Sequence, residues 1–216
     1  MNIALLKALL NALKRTSHVS SLVSTCRSFF SPIQSQADTD QTTLIDSLKS
    51  GGYVLYVRHA KTEKDYADQL TADPTNCATQ RTLSESGWAQ AKAIGAAIAA
   101  HNIPIGDVTT SQYCRAWQTA DLAFGHYEKT AALNFEKAET YSPEQTLKMR
   151  NNTLPLLTKQ PTAQTNTVIV GHDDPFEAAT GIYPEPQGVM YILKPLATGE
   201  FEILGHIDPD AWPSID

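Results

Sequence analysis

Two histidines more than a hundred residues apart each follow a short run of strand-forming residues. Tyr53-Val54-Leu55-Tyr56-Val57 runs into Arg58-His59-Ala60, and Thr167-Val168-Ile169-Val170 runs into Gly171-His172-Asp173. A neutral imidazole can attack an electrophile or carry a proton, and a guanidinium holds planar or tetrahedral oxyanions through its fixed fork of donors. A third segment adds a second such fork, Arg115, within Ser111-Gln112-Tyr113-Cys114-Arg115. Two histidines and two arginines gathered at one place would suit an anionic substrate.

The elements that must gather them can be read from the surrounding pattern. Both runs before the histidines are β-branched or aromatic and nearly uncharged, as expected of buried strands in a mostly parallel sheet. Open α/β sheets bind ligands at the carboxyl ends of their strands, where these histidines would fall. A short helix is expected over residues 40–49, stopped by Gly51-Gly52, and residues 61–82 read as a long polar loop. Ser84 is expected to cap a crossover helix, with Trp88, Ala91, Ile94 and Ile98 as its core stripe. Ile103 to Thr110 reads as a return strand. Gln112 to Phe124 reads as a helix capped by Ser111 and stopped by Gly125, with Arg115 near free N–H groups that could help to hold a phosphate. A short strand at Leu133 to Phe135, a helix from Pro143 to about Lys159 bent or broken at Pro155, and an edge hairpin at Val189 to Leu193 and Phe201 to Leu204 complete the expected order.

The 216 residues are 42% hydrophobic and 19% charged, the balance of an ordinary globular protein. Residues 1–38 read as a leader or flexible segment: the first 37 contain Lys7, Lys14, Arg15 and Arg27 and no acid, a charge of +4. Because the total is −6, the remainder carries −10. So acidic a body is a poor binder of a phosphate backbone, and no nucleic-acid partner is expected. No apolar run approaches the roughly 20 residues of a membrane-spanning helix. The leader fits an export signal, giving a periplasmic or cell-envelope protein, or an amphipathic segment of a cytoplasmic one. With Cys26 lost in the leader, Cys77 and Cys114 form an even pair, able to bridge in an oxidising compartment.

Arg58-His59-Ala60, the segment Ser111 to Ala120, and Val170-Gly171-His172 together resemble the three signatures of the histidine phosphatase superfamily, which includes phosphoglycerate mutases. The resemblance spans roughly Gly52 to Trp212. It implies a three-layer α/β/α sandwich with a mostly parallel sheet, of the phosphoglycerate mutase type, with residues 39–216 as the catalytic domain. It further implies a metal-independent phosphomonoesterase without cofactor, in which His59 is the nucleophile and forms a phosphohistidine. Arg58, Arg115 and His172 would bind the phosphoryl oxygens of a small phosphorylated substrate or phosphoprotein.

The proton donor stays open between Asp173, directly after the second histidine as in one branch of the superfamily, and Glu139, which lies 24 positions after Arg115. Glu136 is an alternative to Glu139. Ala60 stands where the family more often has Gly, and Gln112 where many members have Pro. Lys61 could contact the substrate and Arg81 could serve an anionic tail of it, but both read first as solvated loop cations. Two other functions fit the same residues, a phosphosugar or phosphoglycerate-type mutase and a non-catalytic phospholigand-binding protein. His59, His172, Asp173 and Asp174 could alternatively be metal ligands, although Arg58 beside a divalent cation would be repelled.

Overall fold

The computed structural model describes residues 41–213 apart from 65, 66, 69, 70 and 139, so the leader and Glu139 lie outside the described residues. Helix α1 (Gln41–Leu48) leads into strand β1 (Val54–Arg58), and a long loop that includes the 3₁₀ turn Cys77–Thr79 leads to α2 (Glu85–Ala100). Then come β2 (Ile105–Ser111), α3 (Cys114–Phe124), β3 (Glu128–Thr130), a 3₁₀ turn (Ala131–Leu133), α4 (Pro143–Leu157), β4 (Asn166–Gly171), α5 (Asp173–Thr180), β5 (Met190–Pro195) and β6 (Phe201–Ile207). The six strands form one sheet in the order β3-β2-β4-β1-β5-β6. β3, β2, β4 and β1 are mutually parallel, and the β5–β6 hairpin adds an antiparallel edge, as expected of residues 189–204.

Strand alternation divides the core between the two faces of the sheet. Leu55, Val57, Val168, Val170, Met190 and Ile192 meet Leu44, Ile45 and Leu48 of α1, Ile94 and Ile98 of α2, and Ala116 and Ala120 of α3. Val54, Tyr56, Ile169, Tyr191 and Leu193 meet Leu157 of α4 and Phe176 and Ala179 of α5. Helices therefore cover both faces, giving the expected three-layer α/β/α arrangement. Both faces of β1 and β4 are buried, which accounts for the apolar runs Val54–Val57 and Val168–Val170. No described helix is long and apolar enough to cross a membrane.

Local signals set most boundaries. Ser84 Oγ accepts the Gly87 N–H at 3.1 Å and caps α2. Gly125 takes a left-handed conformation, φ 72°, and ends α3. Ser142 and Gln145 form a reciprocal capping box at the start of α4.

Four expectations need correction. Trp88 is 44% exposed, whereas Ala91, Ile94 and Ile98 are buried. Gly87 takes the inward place in the first turn of α2, packed so closely on the Lys61 carbonyl that a Cβ would lie 1.8 Å from its oxygen. The short strand is at Glu128–Thr130 instead of Leu133–Phe135: β3 pairs at the sheet edge through backbone alone, while Leu133 fills the core from a 3₁₀ turn. α4 is not broken at Pro155, which lies in its last turns on an exposed side, where the missing hydrogen bond leaves a carbonyl to solvent. Ser111 does not cap α3, whose cap residue is Tyr113 with no side-chain bond; its hydroxyl is used in the site.

Candidate active site

The β1–β4 pairing sets Arg58 opposite Gly171, so His59 and His172 leave adjacent strands side by side, their ring centroids 5.4 Å apart. Gly171 makes this approach possible. A Cβ there would lie 2.2 Å from the Tyr56 hydroxyl, which instead donates to the His172 carbonyl at 2.7 Å. β2 ends at Ser111 on the same edge, and the first turn of α3 brings in Arg115. Arg58, His59, Arg115 and His172, expected from sequence to act together, are thus brought together, all of them buried.

The hydrogen bonds of His59 determine which nitrogen carries its proton. Nδ1 lies 2.8 Å from the Ala60 carbonyl oxygen, which can only accept, so Nδ1 donates. Nε2 then carries the lone pair, and it accepts from Arg115 Nε–H at 3.2 Å. Burial first, and then the charge of Arg115, push the pKa of His59 well below its ordinary value. The result is a neutral imidazole with an unprotonated Nε2 beside a guanidinium.

Both expected arginines are held in place. Arg58 donates to Asp173 Oδ2 at 2.6 Å and to the Pro184 carbonyl at 2.8 Å. Tyr183 donates to the same Asp173 oxygen at 2.6 Å, and its ring lies 5.2 Å from the Arg58 guanidinium carbon. Arg115 donates to Asp68 at 2.9 Å and lies over the rings of Tyr113 and Phe135, at 5.4 and 5.1 Å. Asp68 also accepts the Arg81 N–H at 2.7 Å.

Asp173, the first proton-donor candidate, is therefore at the site, engaged as an acceptor through Oδ2. Its neighbour Asp174 accepts from Tyr141 at 2.8 Å, and burial, then the Asp173 charge, raise its pKa. Glu139 lies outside the described residues. Glu136 pairs with Lys148 at 2.8 Å, among the lining residues of a groove of about 640 Å³. That groove shares Tyr113, Asn134 and Phe135 with the surroundings of His172, but none of Arg58, His59, Arg115 or His172 lines it.

Arg81 corrects its expected role. It is half-buried, its Nε is buried without a partner, and its charge contributes to lowering the pKa of His59, His172 and Arg115. Sequence offered only an isolated loop arginine, and proximity to the site depended on the fold of the loop. Lys61 keeps its solvated role, its ammonium 3.9 Å from exposed Asp210. The backbone N–H expected to be free at the start of α3 is also partly taken: Gln80 accepts from Cys114 N–H at 2.8 Å.

The loop that contributes Asp68, Gln80 and Arg81 is fixed to α3 by the Cys77–Cys114 disulfide, the expected pair. Sequence reasoning did not single out Asp68, Asn134, Phe135, Tyr141 or Tyr183. Of the residues that support the site, Ser111, Gln112, Tyr113 and Cys114 sat inside a recognised motif. Among the described residues, no group of three or more His, Cys, Asp or Glu side chains is arranged to hold a metal ion.

This geometry agrees with the comparisons. Residues 54–139 match the family model of the histidine phosphatase superfamily (branch 1). The alpha-ribazole phosphatase of Shigella flexneri is similar in structure, with a TM-score of 0.53 at 15% identity over 76% of this chain and 100% of that one. The phosphoserine phosphatase of Entamoeba histolytica in complex with 3-phosphoglyceric acid gives 0.53 at 13% identity over 74% and 99%. The mycobacterial glucosyl-3-phosphoglycerate phosphatase gives 0.50 at 14% identity over 71% and 97%. No match was found among curated protein sequences.

At such identities a structural likeness is one of fold. The segment with the first two motifs is of the histidine phosphatase superfamily, and the described body has its phosphoglycerate mutase-like fold. The third motif lies beyond the matched segment and reaches the site through the pairing of β4 with β1.

Proposed function

We propose that this chain is a metal-independent phosphomonoesterase that works through a phosphohistidine on His59. The observation that carries this reading is the fixed tautomer of His59, which leaves the Nε2 lone pair against Arg115. A phosphate monoester is dianionic near neutral pH and repels anionic nucleophiles, whereas a neutral imidazole is not repelled. Buried donors without partners, Arg58 Nε and Arg81 Nε, belong to the residues around His59 and fit an anionic ligand.

In the first step His59 Nε2 attacks phosphorus, the N–P bond forms, and the bond to the leaving alkoxide breaks. Arg58, Arg81 and Arg115 supply charge-assisted donors to the oxygens on which negative charge gathers. The alkoxide takes a proton from an acid. With Asp173 in this role, the proton sits on Oδ1, since Oδ2 already accepts from Arg58 and Tyr183; Glu139 is the other candidate. In the second step water attacks phosphorus, loses its proton to the conjugate base of that acid, and the N–P bond breaks to give inorganic phosphate and restore His59.

The test is hydrolysis of an aryl phosphate in the presence of a chelator, by the wild type and by His59→Ala. Chelator-resistant turnover lost in the variant is expected, with a transient acid-labile phosphoenzyme in the wild type. Folded wild-type protein that binds inorganic phosphate but never turns over would make the chain a phospholigand-binding protein. Transfer of the phosphoryl group to a second hydroxyl instead of water would make it a mutase.

A further inference from the structure

The second histidine is tied into a chain of hydrogen bonds that determines where its proton lies. Gln112 N–H, which can only donate, points at Asn134 Oδ1 at 3.1 Å, and Asn134 Nδ2 in turn donates to Gln112 Oε1 at 2.9 Å. The amide of Asn134 is thereby oriented, with oxygen toward Ser111. Ser111 Oγ lies 2.8 Å from that oxygen, which has no hydrogen, so the single hydroxyl proton of Ser111 is spent there. Tyr113 N–H donates to Ser111 Oγ at 3.2 Å. His172 Nε2 lies 2.9 Å from the same Oγ, and with no serine proton left to receive, Nε2 must donate. Neutral His172 is therefore protonated on Nε2 and carries its lone pair on Nδ1, the ring nitrogen that is buried without a partner.

A phosphoryl oxygen only accepts, so it would face that lone pair with repulsion. From this we infer that His172 engages a dianionic ligand as the imidazolium, taking up a proton on Nδ1 when the anion binds, and that Ser111 and Asn134 are positioning residues that enforce this. The proposal rests on the phosphomonoester reading of the site.

The surroundings supply the coupling. Arg58 at the end of β1, Arg81 of the loop before α2, Arg115 of α3, and His59 all face His172 with positive or potentially positive charge. Tyr113 and Phe135 pack edge-on against its ring at 5.5 and 4.9 Å. The acidic groups near it are Asp68, engaged by Arg115, and Asp173 and Asp174 on its own helix. With the site empty, burial and these cations keep the ring neutral. A bound dianion offsets the cations and gives the second proton a partner. His59 cannot respond in the same way, because its second nitrogen is the nucleophile.

Isothermal titration with sulfate, a dianion that does not titrate near neutral pH, tests this when run at pH 7.5 in two buffers of different ionisation heat. The wild type should take up close to one proton per sulfate bound. Ser111→Ala frees the ring to protonate Nδ1 while neutral, and its uptake should fall toward zero while sulfate still binds. Binding of sulfate to the wild type with no proton uptake, or undiminished uptake by Ser111→Ala, would overturn the proposal alone. Sulfate that fails to bind, or binds equally well to Arg115→Ala, overturns the phosphomonoester reading and the proposal together. Nitrogen NMR of the free wild type, labelled in its histidines, needs no variant to fold: it should show His59 protonated on Nδ1 and His172 on Nε2. A neutral His172 protonated on Nδ1 would refute the inference.

Discussion

The two strand ends that form the site are built from the same parts and do opposite things. Each delivers a buried histidine from a central parallel strand, and each ring is kept neutral by burial and then by Arg115. At the first end the neighbouring Ala60 carbonyl takes the Nδ1 proton and leaves Nε2 bare. At the second, a side-chain network from β2 and the segment after β3 takes the Nε2 proton and leaves Nδ1 bare. One rule, that a carbonyl or a spent hydroxyl can only accept, thus leaves the lone pair on Nε2 of one ring and on Nδ1 of the other, which suits the first to the proposed nucleophile and requires the second to gain a proton before it can donate to an anion. The comparison teaches that a histidine's role here is set by the partner of its other nitrogen.

The largest test of this division is to remove each ring. His59→Ala should lower turnover of an aryl phosphate by at least about 10⁴-fold, as expected for a nucleophile. His172→Ala should cost about 10²–10³-fold, the scale of one charge-stabilising donor, and should still form a phosphoenzyme that can be trapped by rapid quench. Equal losses, with no trapped species in either variant, would erase the distinction.

A smaller effect separates the acids. Asp173→Asn should slow alkyl phosphates by about 10²–10⁴-fold and activated aryl phosphates much less, because only the poor leaving group needs a proton. If Glu139→Gln shows that pattern and Asp173→Asn does not, Asp173 acts through its hold on Arg58 and Tyr183.

Burial of both rings in the neutral form has a consequence for pH. Between its lowered folded-state value and the unfolded value of about 6.5, each histidine binds more protons in the unfolded chain, so stability is full above that value and is lost as pH falls below it. Urea unfolding at pH 7.5 and 5.5 should show a loss of up to about 3 kcal/mol from the two rings together. The His59→Asn, His172→Asn double variant should lose markedly less over the same interval. An identical slope in both proteins would mean that other groups set the acid sensitivity.

The smallest contrast is steric. Gly171→Ala drives a methyl against the Tyr56 hydroxyl and should destabilise by about 1–3 kcal/mol, whereas Ala60→Gly should cost about 0.5–1 kcal/mol, mostly in chain entropy. Thermal or urea denaturation would read both. A Gly171→Ala protein as stable as wild type would show that the tyrosine can yield.

Sequence alone determined the two central strands, their histidines and the class of fold, because those signals are local: short apolar runs and motif residues placed directly after a strand. Arg58, His59, Arg115 and His172 were legible for that reason, and so was the pairing of Cys77 with Cys114. Tertiary structure decided the rest. Asp68 and Arg81 lie in a loop without periodicity, and only its attachment to α3 brings them to Arg115 and His59. Asn134 reaches His172 only through Ser111, across segments that share no sequence neighbourhood. Trp88 looked inward by spacing and is exposed because Gly87 packs backbone to backbone, a contact that depends on where the Lys61 carbonyl stands in space. A sequence specifies which groups can donate or accept; which of them meet, and hence which nitrogen keeps its proton, is settled when the strands pair.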